Sequence, residues 1–364
     1  MTPSHPDPPD ALLPPAPPER EGVAEVRSFL GNAAAFLLVG LVLYGLVLAG
    51  SEWLVYEHGQ RNPFFKVHTA EHAEYDHVIL GASHAAVFDY RDMNQRLEEA
   101  TGARILNLAT VGAGITINHL LYDYFSREHR TDHVVYILDS FAFYSPEWNE
   151  ERLQDATLFA RAPWDPSLAR LLLSHPDARQ MALDYIFGFT KINNADRFEP
   201  DLFEAEGSRF ERTYRPVAQI DRQRIEYLYP DADTMEPATL DQSPYLEEFQ
   251  ELIRSARDRG AEFVVVRPPI PERMKEMIPG EEHFARTIDS IARIHDVEYH
   301  DFSSVSNDEE YFYDSDHLNR EGVLRFIERY LEDVLAVRGE REAENRPESG
   351  RTGREQVQVG RWGA

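Results

Sequence analysis

The chain has 364 residues, 42% of them hydrophobic, enough for a sizeable core; 37 Lys and Arg against 64 Asp and Glu leave a formal net charge of −27. A field of that sign repels nucleic-acid backbones and excludes nucleic acid as an expected partner. The absence of cysteine excludes disulfides and thiol catalysis, while the acidic surface suits solubility or a salty exterior that screens self-repulsion.

Residues 1–27 open with a proline-rich run, MTPSHPDPPDALLPPAPPER, expected to be an extended, solvated tail without a fold. Phe29 to Ser51 carries no charged residue and reaches the roughly 20 residues a helix needs to cross a bilayer, so residues 28–56 are read as one transmembrane helix with its interface. Trp53 and Tyr56 follow as amphipathic rings do at a membrane surface. A cleavable signal peptide competes, with small residues near Leu48-Ala49-Gly50, but the long leader and long apolar run favour an uncleaved anchor. Arg20 and Arg27 before the helix and Arg61 and Lys66 after it leave little charge bias; the short tail is placed in the cytoplasm and the large domain outside. Residues 57–74 read as a polar juxtamembrane linker.

From there short β-branched runs alternate with helical stretches, as in a parallel sheet covered by helices on both faces. Strands are expected at 77–81, 103–108, 133–138, 261–267 and 297–302, and helices at 92–102, 115–128, 243–260, 282–295 and 320–337. Ser243 suits an N-cap, and Gly102 and Gly260 suit helix stops. Residues 145–240 break the rhythm and read as a largely helical insertion over the sheet of a domain spanning 75–337; residues 338–364 read as a charged, solvated tail.

Two constellations carry chemistry. GASH (Gly81 to His84) follows the first strand, so Ser83 stands at the carboxyl end of a strand, where doubly wound sheets bind ligands. Taken alone, such a serine is usually an ordinary turn residue. DSDHLNREG (Asp314 to Gly322) precedes the last helix, and its carboxylate and imidazole, three residues apart, can share one site. Asp314 would orient His317, and His317 would take the proton of Ser83, whose hydroxyl needs an adjacent base to become a nucleophile.

Together the motifs resemble the SGNH (GDSL-like) hydrolase family over residues 75–337, apart from the insertion, and HLNREG looks like the family's continuation after the histidine. The resemblance implies a flavodoxin-like three-layer α/β/α fold, a triad of Ser83, Asp314 and His317, and no metal or organic cofactor. It also implies an oxyanion hole from the Ser83 backbone and a glycine after the second strand, Gly112 in preference to Gly114. The family's oxyanion asparagine is missing, because the third strand runs into LDSFAFYSPEWN; Ser140 is the expected substitute donor, and Asn149 is too poorly placed to rely on. His84, Gly114 and Arg267, the last in VRPPIPERM, are read as substrate-binding.

An anchor followed by such a domain is also similar in topology to extracytoplasmic acyl-transfer proteins of teichoic-acid alanylation and alginate acetylation, which work beside a multi-pass membrane acyltransferase. The expected activity is therefore esterase or O-acyltransferase, on an acylated glycan or another acyl ester. The alternative is a catalytically lapsed scaffold in a polysaccharide-modifying complex. HTAEH (His68 to His72) literally fits a zinc-protease pattern, but a polar linker is the stronger reading.

Overall fold

The computed structural model describes residues 20–193, 202–231 and 237–336. The chain divides into two compact units, Met1–Gly50 and Ser51–Ala364. A single helix, Arg20–His58, begins earlier than expected: the tail read through residue 27 gives way to helix at Arg20 because prolines stop at Pro18 and helix formers follow. Its segment Glu25–His58 is long and apolar enough to cross a membrane, and the most apolar stretch within it has a mean hydropathy of 2.4 and no buried residue. Residues 1–19 and 337–364, and thus most of both expected tails, lie outside the described residues.

Residues 57–74 are not an exposed linker, which corrects that expectation. Pro63–His68 forms a short helix, capped by the Asn62 side chain accepting from the Phe64 and Phe65 N–H groups. Phe64 and Val67 join the core, so the apolar PFFKV run behaves as a packing element.

The domain is built on five strands, β1 (Glu74–Gly81), β2 (Ile105–Asn107), β3 (Arg130–Ile137), β4 (Glu262–Arg267) and β5 (Glu298–Asp301). They lie in the order β2-β1-β3-β4-β5 with every pair parallel, which is the flavodoxin-like arrangement. Strand side chains alternate between two cores. Val78, Leu80, Val134, Tyr136, Phe263 and Val265 pack with helices Ile115–Phe125, Pro244–Asp258 and Glu281–Ile294. Ile79, Val135, Ile137, Val264 and Val266 pack with Met93–Thr101 and Arg320–Phe326 on the other face. Burying each such side chain contributes roughly 1.5–3 kcal/mol before chain entropy is subtracted.

Helix ends follow local chemistry. Ser243 caps Pro244–Asp258 by accepting from the Tyr245 N–H at 3.2 Å, and Gly102 ends Met93–Thr101 with φ +71°. Between β3 and β4 the described part of the insertion is helical, a series of short helices and one longer helix, Ala218–Leu228.

Candidate active site

β1 ends at Gly81, whose φ of +142° and surroundings demand glycine: a Cβ there would lie 2.7 Å from the Ile137 carbonyl oxygen and 2.9 Å from the Ala85 Cβ. Asn118 accepts a hydrogen bond from the Gly81 N–H at 2.9 Å and donates to the Gly114 carbonyl at 2.8 Å, tying the end of β1 to the loop after β2. The chain then turns into the short helix Ser83–Ala86. This places Ser83 outside the carboxyl ends of β1 and β3, where the order of strands reverses and a crevice opens. Ser83 lines a cavity of about 370 Å³ together with Gly112, Phe141, Trp148, Arg224, Tyr227 and His317.

His317 is almost completely buried and held from several directions. Its Nδ1 lies 2.8 and 3.0 Å from the two carboxylate oxygens of Asp314, which also accepts the backbone N–H groups of Asp316 and His317. The carboxylate places the ring proton on Nδ1 and leaves the Nε2 lone pair to act as a base. Burial pushes the Asp314 carboxyl up, but His317 and Arg224 outweigh it and hold the group well below the usual carboxylate range. The rings of Tyr313 and His84 stack on the imidazole at centroid distances of 5.4 and 4.5 Å.

The residues after His317 build the loop that presents it. Asn319 accepts the Gly322 N–H at 3.0 Å as N-cap of Arg320–Phe326, and its amide donates to the Glu310 and Arg212 carbonyls at 2.6 and 3.1 Å. Gly322 is required because a Cβ would come within 2.3 Å of the Tyr311 carbonyl oxygen.

Ser83, Gly112 and His317 thus share one cavity, and Asp314 stands behind the histidine. Gly112 adopts φ +70°, with Trp148 against the position a side chain would take. The remaining residues read from the sequence sit elsewhere, as corrections. Ser140 does not line the cavity; its hydroxyl is 2.5 Å from that of Tyr229, while its neighbour Phe141 faces the space. Gly114 heads the helix Ile115–Phe125 with its N–H donated to the Trp148 carbonyl, and a Cβ there would collide with Asn149 at 2.2 Å. Asn149 is itself buried and structural, donating to the Ala142 and Ser145 carbonyls and accepting from the Thr116 N–H.

Arg267 is 1% exposed, paired with Glu281 at 2.6 Å and stacked over Phe284, so its charge serves the interior beside β4. His84 is buried and does not line the cavity, with Nδ1 2.5 Å from Asp139 and Nε2 3.2 Å from the Asp316 carbonyl oxygen. Burial disfavours its charged form, but Asp139 and Asp316 outweigh that and push its pKa up to about 9.

The zinc pattern is not assembled. The helix carrying His68 ends there, and His68 bonds Asp165 and the Tyr56 hydroxyl. Among the described residues two groupings could bring ligand atoms together, His84 with Asp316 and His317, and Glu206 with Asp314 and His317. Both use His317, whose Nδ1 already faces Asp314, and the first also uses Asp316, which Arg224 holds.

Sequence reading did not find Arg224, Trp148, Tyr227 or Asp316. Arg224 comes from the helix Ala218–Leu228 in the insertion; its Nε lies 3.1 Å from each oxygen of Asp316, and its Nη2 lies 3.5 Å from His317 Nε2. No motif signals such a residue, because its partner is 92 positions away in the chain. Asp316 lies inside the DSDH motif and was legible as an acid, though without a role.

The fold and the cavity define a doubly wound α/β protein carrying a serine and an aspartate-paired histidine at its switch point. No protein-family model matches the chain, and no curated protein matches it significantly. Among solved structures it is similar to a protein of Bacteroides fragilis provisionally described as an acylhydrolase, at 9% identity and a TM-score of 0.34, over 74% of this chain and 90% of that one. It is also similar to a Streptococcus pneumonia protein provisionally described as a platelet activating factor, at 13% identity and a TM-score of 0.37, over 82% of this chain and 99% of that one. Likenesses this distant say nothing about activity, which is read below from the cavity alone.

Proposed function

We propose that the chain is a membrane-anchored serine esterase or O-acyltransferase of the SGNH type, acting on acyl esters of a cell-surface polysaccharide. The observation that carries the reading is that Ser83 and the Asp314-paired His317 line one cavity. Ser83 Oγ attacks the ester carbonyl while His317 Nε2 takes its proton, and Asp314 orients and stabilises the imidazolium. His317 then returns the proton to the leaving alcohol. The acyl group passes from Ser83 to water or to a glycan hydroxyl, with the same histidine activating the acceptor. The backbone N–H groups of Ser83 and Gly112 are assigned to the oxyanion.

Support for a glycan comes from the cavity wall: Trp148 and Tyr227, packed edge to face at 5.0 Å, offer apolar ring surface, while Glu147, Glu151 and Glu206 offer acceptors for hydroxyls. The anchor helix and an extracytoplasmic domain would bring this cavity to the envelope, beside a multi-pass membrane acyltransferase as acyl donor.

The test is a panel of p-nitrophenyl acyl esters, with and without acetylated oligosaccharide, on the wild type and Ser83→Ala. The expected result is turnover in the wild type, lost in the variant, with acyl transfer to sugar where a transferase operates. A lapsed scaffold is favoured by the commitment of Ser140 and Asn149 to other partners. Labelling by a serine-directed fluorophosphonate that vanishes in Ser83→Ala would exclude it.

A further inference from the structure

An acyl-transfer oxyanion is stabilised by preorganised donors aimed at the point where charge develops. The two side chains after β3 that might serve are occupied, Ser140 by the Tyr229 hydroxyl and Asn149 by three backbone groups. Arg224 occupies a different position. It lines the same cavity as Ser83 and Gly112 and reaches it from the helix Ala218–Leu228, whose Ile225 and Leu228 pack with Ala82, Phe141 and Trp148. Its guanidinium is fixed at one edge by Asp316, which is 4% exposed and receives Nε at 3.1 Å on both oxygens. Burial works against the cation, but Asp316 and Asp314 more than offset it, so the group stays charged.

The other edge faces the chemistry. Nη2 lies 3.5 Å from His317 Nε2, and because Asp314 keeps the proton on Nδ1, Nε2 offers a lone pair to this weak donor. We propose that Arg224 is a catalytic residue, the third oxyanion donor of the site, taking the role of the asparagine missing after β3. The inference rests on the serine-esterase reading above.

In the acylation step a bond forms between Ser83 Oγ and the carbonyl carbon, the carbonyl π pair moves onto its oxygen, and the serine proton passes to His317 Nε2. A protonated Nε2 can no longer accept from Nη2. The guanidinium N–H is therefore released as the oxyanion appears, and it donates there while keeping its proton. When the tetrahedral species collapses, the carbon–oxygen bond to the alcohol breaks and the alkoxide takes the proton from Nε2. Deacylation repeats the sequence with water or a sugar hydroxyl as nucleophile.

A merely structural Arg224 would hold Asp316 and nothing more, and chemical rescue separates the two roles. Full-length wild type, Ser83→Ala, Arg224→Ala and Arg224→Gln are compared on p-nitrophenyl acetate in detergent, with and without added guanidinium chloride at millimolar concentration, and their thermal midpoints are recorded. We expect both Arg224 variants to lose about 10²–10³ in kcat, the cost typical of one oxyanion donor. KM should stay within about threefold, as for an interaction made only in the transition state.

Added guanidinium should restore roughly tenfold of the lost kcat in Arg224→Ala by refilling the vacated donor position. Should the alanine variant fail to fold, Arg224→Gln is read by its kcat and KM alone. The inference is overturned by a kcat within about threefold of wild type in a folded variant. It is equally overturned by a loss in folded Arg224→Ala that guanidinium does not relieve, or by a loss in Arg224→Gln expressed only in KM. An inactive wild type, or an active Ser83→Ala, instead defeats the esterase reading, and the role of Arg224 falls with it.

Discussion

Two carboxylates converge on Nδ1 of His317, Asp314 at 2.8 Å and Asp316 at 3.4 Å. Arg224 takes up Asp316 from its other side, leaving Asp314 as the partner that sets the tautomer. Asp314→Asn would permit the wrong tautomer while preserving shape, so kcat on a p-nitrophenyl ester should fall by about 10⁴ with little change in thermal midpoint. His84 makes a separate prediction about stability. Its folded pKa of about 9 lies above its ordinary value of 6.5, so the protonated form binds Asp139 more favourably in the folded protein. That contribution is fully present below about pH 6.5 and is lost as pH rises through 9. The thermal midpoint should therefore decline between neutral pH and pH 10, and His84→Gln should flatten this decline; a variant that retains the full slope would contradict the assignment.

Strands, turns and caps put these side chains where they are. Gly81 turns β1 sharply into Ser83, and a methyl group there meets the Ile137 carbonyl at 2.7 Å in a backbone conformation that L residues avoid. Gly81→Ala should cost roughly 1–3 kcal/mol of stability by denaturant titration, with esterase activity falling further as Ser83 is displaced. Asn319 caps the helix Arg320–Phe326 and ties it to the Glu310 and Phe312 carbonyls of the loop before it and to the Arg212 carbonyl, so Asn319→Ala should cost about 1–2 kcal/mol and lower kcat by disturbing the His317 loop.

The sheet elements themselves were legible, because a run such as HVVYIL is apolar on both faces and needs covering on both. The strand ends shifted by up to three residues, as at β1, which starts at Glu74 where pairing with Arg130 of β3 continues past the apolar run. Residues 57–74 were misread because length and charge suggested a spacer, whereas three aromatic and aliphatic side chains there found a core to enter.

The whole molecule combines a long apolar helix with a strongly acidic chain. An arginine near the centre of the span costs roughly 2.5–3.5 kcal/mol on insertion scales, so under the proposed membrane anchoring Leu41→Arg with Leu43→Arg should shift the protein from the membrane to the soluble fraction on carbonate extraction. A net charge of −27 predicts a thermal midpoint that rises from low to molar salt as self-repulsion is screened; an unchanged midpoint would argue against salt adaptation.

Local order in the chain was sufficient for the apolar span, the alternation of strands and helices, and the two motifs holding Ser83, Asp314 and His317, because each is written in neighbouring residues that obey a period, a turn or a short spacing. The identity of the cavity wall was decided by packing. Arg224 meets Asp316 across 92 positions, Trp148 meets Tyr227 across the insertion, and Arg267 turns into the interior, since long side chains settle where burial and charge pairing are jointly satisfied. That balance depends on which elements face one another, and it is set only when the sheet order brings distant segments together.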